Sequence, residues 1–231
     1  NKTIQKLNGM FAIAIWDDFD KTLYLVRDRV GIKPLYWSFI DDQFLFSSEL
    51  RSFKQNNEIK FEIDTEALND FLKYGNVPNP KSIFKDINKL EPGVILKVNL
   101  NGKIDKEKYW NLYHVITHSN KENLKLDEVL YDLEVKLKDS VSMRMISDVP
   151  IGALLSGGID SSLILALMQS FSNKKINTYT IGFESDQFNE ANHAKKVAEY
   201  FGSNHTELYI REKEVLDTIP LLANIWDEPF S

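Results

Sequence analysis

Leu154-Leu155-Ser156-Gly157-Gly158-Ile159-Asp160-Ser161-Ser162 is the stretch on which the reading of this chain turns. An apolar run over 149–155 predicts a buried strand, Ser-Gly-Gly a turn, and a helix begins near Asp160. Glycines in such a turn permit positive φ and close approach by an anion. The first-turn N–H groups of the helix have no internal partner, and the helix dipole adds partial positive charge. Ser156, Ser161 and Ser162 add hydroxyls. The arrangement predicts a phosphate cradle without a lysine, distinct from G-x-x-x-x-G-K-[ST] and from G-x-G-x-x-G. Asp160 would repel phosphate unless a cation bridged the two, so Mg²⁺ is the expected partner and Asp160 its expected ligand.

The flanking sequence continues the alternation. A second strand is predicted over 177–183, a second helix over 190–201 stopped by Gly202, a third strand over 205–210, and a third helix to about Trp226. Upstream, Leu126, Leu130, Leu133, Leu137 and Val141 repeat at helical spacing. This β-α-β-α-β order predicts right-handed crossovers and an open, doubly wound parallel sheet. Ligands bind such sheets beyond the carboxyl ends of the strands.

The first half reads differently. Short apolar runs at 10–16, 23–26, 35–39 and 44–46 are punctuated by Asp17-Asp18, Gly31 and Asp41-Asp42. Thr65 is the predicted N-cap of a helix ending at Gly75. Glu91-Pro92-Gly93 precedes a strand over 94–98, and Asn101-Gly102 signals a hairpin. Between Asn111 and Lys125 the pattern fades, which places the domain boundary there, dividing the chain into 1–115 and 116–231.

Composition narrows the function classes. The 231 residues carry 28 basic and 34 acidic side chains, a net charge of −6, with 43% apolar and no cysteine. An acidic balance without a basic stripe argues against nucleic-acid binding. Cysteine nucleophiles, thiolate metal sites and disulfides are excluded within these residues. No apolar run reaches the ~18 residues of a membrane span, and no signal-peptide pattern opens the chain, so a cytoplasmic location is expected. The chain begins at Asn1 without Met and is read as a fragment cut at both ends.

Ser156 to Ser162 resembles the PP-loop of the ATP pyrophosphatases. Ser147-Asp148-Val149-Pro150-Ile151-Gly152, Tyr179-Thr180-Ile181-Gly182-Phe183 and Trp226-Asp227-Glu228-Pro229-Phe230-Ser231 resemble segments of asparagine synthetase B. Leu7-Asn8-Gly9-Met10-Phe11-Ala12, Arg27-Asp28-Arg29 with Gly31, Lys33, Pro34 and Leu35, and Ser47-Ser48-Glu49 resemble its glutaminase domain. Leu90-Glu91-Pro92-Gly93 and Tyr109-Trp110 follow in the same order.

The resemblance implies an α/β chain. The C-terminal part of a class II (N-terminal-nucleophile) glutaminase domain would precede the first half of a doubly wound ATP pyrophosphatase domain. It implies that glutamine supplies ammonia and that ATP activates the aspartate side-chain carboxylate as an acyl adenylate. Asparagine, AMP and pyrophosphate would be the products. By motif, Ser156, Gly157, Gly158, Asp160, Ser161 and Ser162 would hold pyrophosphate, and Leu155, Ile181 and Gly182 would contact the nucleotide. Strand core is the other reading of the last three, but their place at strand carboxyl ends favours nucleotide contact. The family nucleophile is an N-terminal Cys expected upstream, so no catalytic residue is assigned here and the chain alone is expected to be inactive. The expected partners are aspartate, glutamine and ATP, with room for a homodimer of the full-length protein. Two other readings stay open: an amidotransferase with another carboxylate acceptor, and a non-catalytic nucleotide-binding relic.

Single residues carry weaker expectations. Arg27 and Asp28 read as a salt bridge holding a loop in preference to lining an interface between domains, and Asp227 and Glu228 as either substrate-facing or helix-capping. His114, His118, His193 and His205 read as surface or packing residues. Phe11, Trp16, Tyr24, Tyr36 and Trp37 read as core.

Overall fold

A computed structural model describes residues 2–56, 59–118, 125–183 and 189–229. Phe230 and Ser231 of the last motif lie outside them. The chain divides into two compact units, residues 1–120 with 222–231, and residues 121–221.

The first unit opens with α1 (Lys2–Lys6), followed by β1 (Ala12–Asp17), β2 (Thr22–Arg27), β3 (Tyr36–Ile40) and β4 (Gln43–Ser47). A 3-10 helix (Leu50–Gln55) and α2 (Thr65–Tyr74) come next, then β5 (Ile87–Lys89), β6 (Val94–Asn99), β7 (Ile104–Lys108) and α3 (Leu112–His118). Its strands form two antiparallel sheets, β1-β2-β6-β7 and β4-β3-β5. Leu25, Leu90, Val94, Leu96 and Val98 form the core of the first, and Trp37 and Phe44 of the second pack against it. Burying side chains of this kind stabilises by about 1.5–3 kcal/mol each.

Local chemistry explains most element ends. Asp64, not the expected Thr65, caps α2: its carboxylate accepts from the Glu66 and Ala67 N–H groups. Gly75 ends the helix in the left-handed conformation, φ 73°. Asn99 and Gly102 close the β6–β7 hairpin, with the Asn99 side chain accepting from the Asn101 and Lys103 N–H groups.

The second unit holds α4 (Leu126–Arg144), β8 (Gly152–Leu154), α5 (Ile159–Ser170), β9 (Asn177–Phe183), α6 (Ala191–Phe201), β10 (Asn204–Ile210) and α7 (Glu212–Thr218). The strands pair in parallel in the order β10-β9-β8, as the alternating sequence predicts. That order runs one way. The reversal of winding that makes such a sheet doubly wound does not occur among the described residues. Leu155, Leu165, Met168, Ile176, Ala194 and Ala198 form the core.

Several expectations need correction. Of the α4 stripe, only Leu137 and Val141 reach the core; Leu126, Leu130 and Leu133 are exposed. The third helix is broken. After α7 come a 3-10 turn (Ile219–Leu221) at Pro220 and α8 (Leu222–Ile225), which groups with the first unit. The segment after Asn111 is helical over α3, where His114 and His118 stack with ring centroids 3.9 Å apart. Trp16 is half exposed, not core. Among the described residues no helix is long and apolar enough to cross a membrane.

Candidate functional site

The Ser156–Ser162 loop leaves β8 just where β9 runs on past it, paired there with β10 alone. Leu154 pairs with Tyr179, the Leu155 N–H donates to the Tyr179 carbonyl at 2.9 Å, and the Thr180 hydroxyl donates to the Leu155 carbonyl. These bonds pin the strand end from which the loop springs. Leu155 is buried in the core.

Gly157 takes φ +80°, and a Cβ there would come within 2.7 Å of the Ala194 nitrogen and the His193 carbonyl carbon. The loop therefore lies against the first turn of α6, an approach only glycine permits. Gly158 takes φ −72° and ψ 168°, so the freedom expected of both glycines is used at one. Its N–H donates to the Ser156 hydroxyl at 3.3 Å.

The three serines gather around the start of α5. Ser156 Oγ lies 3.0 Å from Ser161 Oγ, Ser161 Oγ also receives the Ser156 N–H at 3.3 Å, and the Ser161 and Ser162 hydroxyls donate to the Gly158 carbonyl at 3.3 and 2.7 Å. The hydroxyls are thus satisfied within the loop and would have to rotate to meet an incoming anion. Asp160 is exposed in the first turn of α5. Among the described residues no three His, Cys, Asp or Glu side chains stand together as a metal site.

Ile181 and Gly182 sit on β9 past the end of its pairing with β8. Ile181 is exposed; a Cβ on Gly182 would lie 2.7 Å from the Tyr209 ring, so that ring covers the strand end. The structure brings Ser156, Gly157, Gly158, Asp160, Ser161 and Ser162 into one loop and places Ile181 and Gly182 on the neighbouring strand.

His193 adjoins the loop through its backbone. His205 is a packing residue: Nδ1 lies 3.0 Å from Thr178 Oγ1, and Nε2 is buried without a hydrogen bond, 3.9 Å from a Glu207 oxygen.

The first unit holds two further arrangements. Asp28, fully buried, accepts from the Phe11, Ile32 and Lys33 N–H groups at 3.3, 3.0 and 2.9 Å. Burial pushes its carboxyl up, but these backbone donors outweigh it and hold the group below the usual carboxylate range. Arg27 donates to the Gly31, Lys33 and Leu90 carbonyls and to Asn79. The pair does hold the 28–35 loop, but through backbone groups and not as the expected salt bridge.

Asp227 takes the capping alternative, whereas Glu228 caps no helix and instead binds a loop N–H and a strand lysine. Asp227 accepts from the Leu50 and Arg51 N–H groups at 2.7 and 3.3 Å, at the start of the 3-10 helix. Glu228 accepts from the Ile83 N–H at 2.8 Å and pairs with Lys89 at 2.6 Å. Sequence reasoning missed these partners because each is distant in the chain. Two adjacent carboxylates between Trp226 and Pro229 were the only local signal. A cavity of about 690 Å³ lies beside them, lined in part by Leu50, Ile63, Phe84 and Trp226.

Comparison with known proteins agrees along the chain. Residues 1–110 match the glutamine amidotransferase domain, and residues 132–231 match asparagine synthase. Glutamine-hydrolyzing asparagine synthetase 1 of Bacillus subtilis is 36% identical over 229 residues, 98% of this chain and 35% of that protein. Glutamine-hydrolyzing asparagine synthetase 3 of the same organism is 30% identical over 241 residues, 98% of this chain and 38% of that protein. The chain thus spans little more than a third of the length of these curated relatives. With a glutamine amidotransferase domain followed by an asparagine synthase domain, the chain belongs to the asparagine synthetase family.

Proposed function

We propose that this chain contributes the pyrophosphate-holding loop, and part of the amidotransferase domain, to a glutamine-dependent asparagine synthetase. ATP would adenylate the aspartate side-chain carboxylate and release pyrophosphate. Ammonia from glutamine hydrolysis would displace AMP and form the amide. The observation that carries this reading is the convergence of Ser156, Ser161 and Ser162 on the first turn of α5 at a strand carboxyl end, within the asparagine-synthase match. A leaving group of high negative charge needs preorganised donors; the N–H groups of a helix N-terminus supply them, and the nearby hydroxyls would add to them on rotating out of their loop bonds.

In this reading Ser156, Gly157, Gly158, Ser161 and Ser162 hold pyrophosphate, and Leu155, Ile181 and Gly182 flank the nucleotide. Leu155 contributes by fixing the strand end, since its side chain is buried. Asp160, exposed and, among the described residues, without two further acidic or histidine neighbours, fits a cation held mainly by phosphate oxygens and water, which is the habit of Mg²⁺. Mg²⁺ would neutralise charge on the departing phosphates. The domain division drawn from the sequence, 1–115 and 116–231, belongs to the same proposal, as does the doubly wound sheet.

ATP–pyrophosphate exchange by the full-length protein tests the reading. Exchange that depends on aspartate and is abolished by Gly157→Ala supports it; exchange indifferent to aspartate refutes it.

A further inference from the structure

Asp227 and Glu228 lie within the residues matched to asparagine synthase, yet among the described residues the partners of both carboxylates lie in the segment matched to the amidotransferase domain. Asp227 caps the 3-10 helix, and Arg51 returns the contact. Its guanidinium pairs with Asp227 at 3.3 Å and donates to the Asn224 and Ile225 carbonyls at 3.2 and 3.0 Å. Glu228 sits on a cross-strand pair. Tyr36 of β3 faces Lys89 of β5 in register, Lys89 pairs with Glu228, and Lys89 also donates to the Val77 carbonyl at 2.6 Å. The Tyr36 phenol is buried and bonded to Glu228. Burial first, and then the Glu228 and Asp227 charges, push its pKa far above the ordinary value, so it stays neutral.

The contacts continue into the 28–35 loop. Leu90, next to Lys89, offers its carbonyl to Arg27 at 2.6 Å, and Arg27 binds the Gly31 and Lys33 carbonyls of that loop. A short path of hydrogen bonds and one peptide link therefore joins Glu228 to a loop whose sequence resembles the glutaminase domain. Chain continuity joins Glu228 on its other side to the unit that carries the phosphate loop.

We propose that Asp227 and Glu228 are positioning residues: a two-carboxylate latch that holds the synthase-matched segment in the amidotransferase core and couples glutamine hydrolysis to amide synthesis. The proposal rests on the asparagine synthetase reading above. The latch touches no substrate; it acts through Lys89, Tyr36 and the 3-10 helix.

The test uses the full-length protein and counts glutamate formed per asparagine made. Synthesis from ammonia and glutamine hydrolysis alone are measured alongside. With Glu228→Gln or Lys89→Met, the ratio should rise by about threefold or more, the scale on which single contacts modulate coupling between sites. Synthesis from ammonia should persist. The conservative Lys89→Arg, which keeps a cation able to donate to the Glu228 carboxylate and the Val77 carbonyl, should hold the ratio near the wild-type value. Asp227→Asn provides a milder variant, because its amide oxygen still accepts from Leu50 while the ion pair to Arg51 is lost. Folded variants that keep the wild-type ratio would overturn the latch alone. A wild type that makes no asparagine from ammonia overturns the underlying reading, and the latch with it.

Discussion

Lys89 and Glu228 form an ion pair of 2.6 Å in which only 13% of either side chain is exposed. Glu228 spends its second oxygen on the Ile83 N–H, and Lys89 donates also to Val77, so neither charge is left with a bare face. Removing one partner of such a pair leaves the other buried and uncompensated. Lys89→Met is therefore expected to destabilise the first unit by about 3 kcal/mol, and Lys89→Met with Glu228→Leu by much less. Urea unfolding of the full-length protein, followed by intrinsic tryptophan fluorescence, measures both.

Asp28 makes stability depend on pH. Its folded-state pKa is depressed, so its contribution is fully present above the ordinary carboxylate value and is lost as pH falls through the depressed folded value. Asp28→Asn should cost about 1–3 kcal/mol near neutrality, because the loop N–H groups lose a charged acceptor. The difference between wild type and variant should shrink in acid below the usual carboxylate range. Urea midpoints across pH check the sign: a difference that grew in acid would contradict the account.

Gly157 and Gly158 separate backbone strain from ligand approach. Ala at 157 must adopt φ +80° and meet the α6 backbone at 2.7 Å, so Gly157→Ala should lower both stability and ATP affinity. The conformational part alone costs about 1–2 kcal/mol. Ala at 158 keeps an ordinary φ and meets only the Ser156 hydroxyl at 3.4 Å. Gly158→Ala should leave the melting temperature unchanged while weakening ATP, which calorimetry and thermal melts together resolve.

Asp160 is the proposed Mg²⁺ contact. Asp160→Asn should leave the fold intact, since the side chain is exposed, and should raise the Mg²⁺ concentration needed for half-maximal pyrophosphate exchange by about tenfold, a loss of about 1.4 kcal/mol. An unchanged Mg²⁺ requirement would remove Asp160 from the site.

The sequence announced what is settled locally. Gly75 and Gly202 end helices because the chain there needs φ values that glycine adopts without strain, and Asn101-Gly102 turns a hairpin for the same reason. The parallel strands of the second unit were legible from their alternation with helical segments, and the phosphate loop from its order of strand, glycines and helix; the buried strand expected over 149–155 is shorter, Gly152–Leu154, and leaves Val149 and Leu154 exposed. What failed was long-range. The 3-10 helix after Glu49 was invisible because its cap, Asp227, arrives from the far end of the chain. Strand β5 is a three-residue element held by pairing with β3 and by Glu228, not by propensity. The α4 stripe looked uniform, but periodicity reports which side chains share a face, not how far a core extends beneath them. Asp64 outranked Thr65 as a cap because its carboxylate reaches two amides at once.

The most direct test of the central claim identifies the nucleotide and amide products of the full-length protein supplied with ATP, Mg²⁺, glutamine and aspartate. The account predicts AMP and pyrophosphate in step with asparagine, and their joint loss in Gly157→Ala. Formation of ADP and phosphate, or amidation of another carboxylate in place of aspartate, would contradict it.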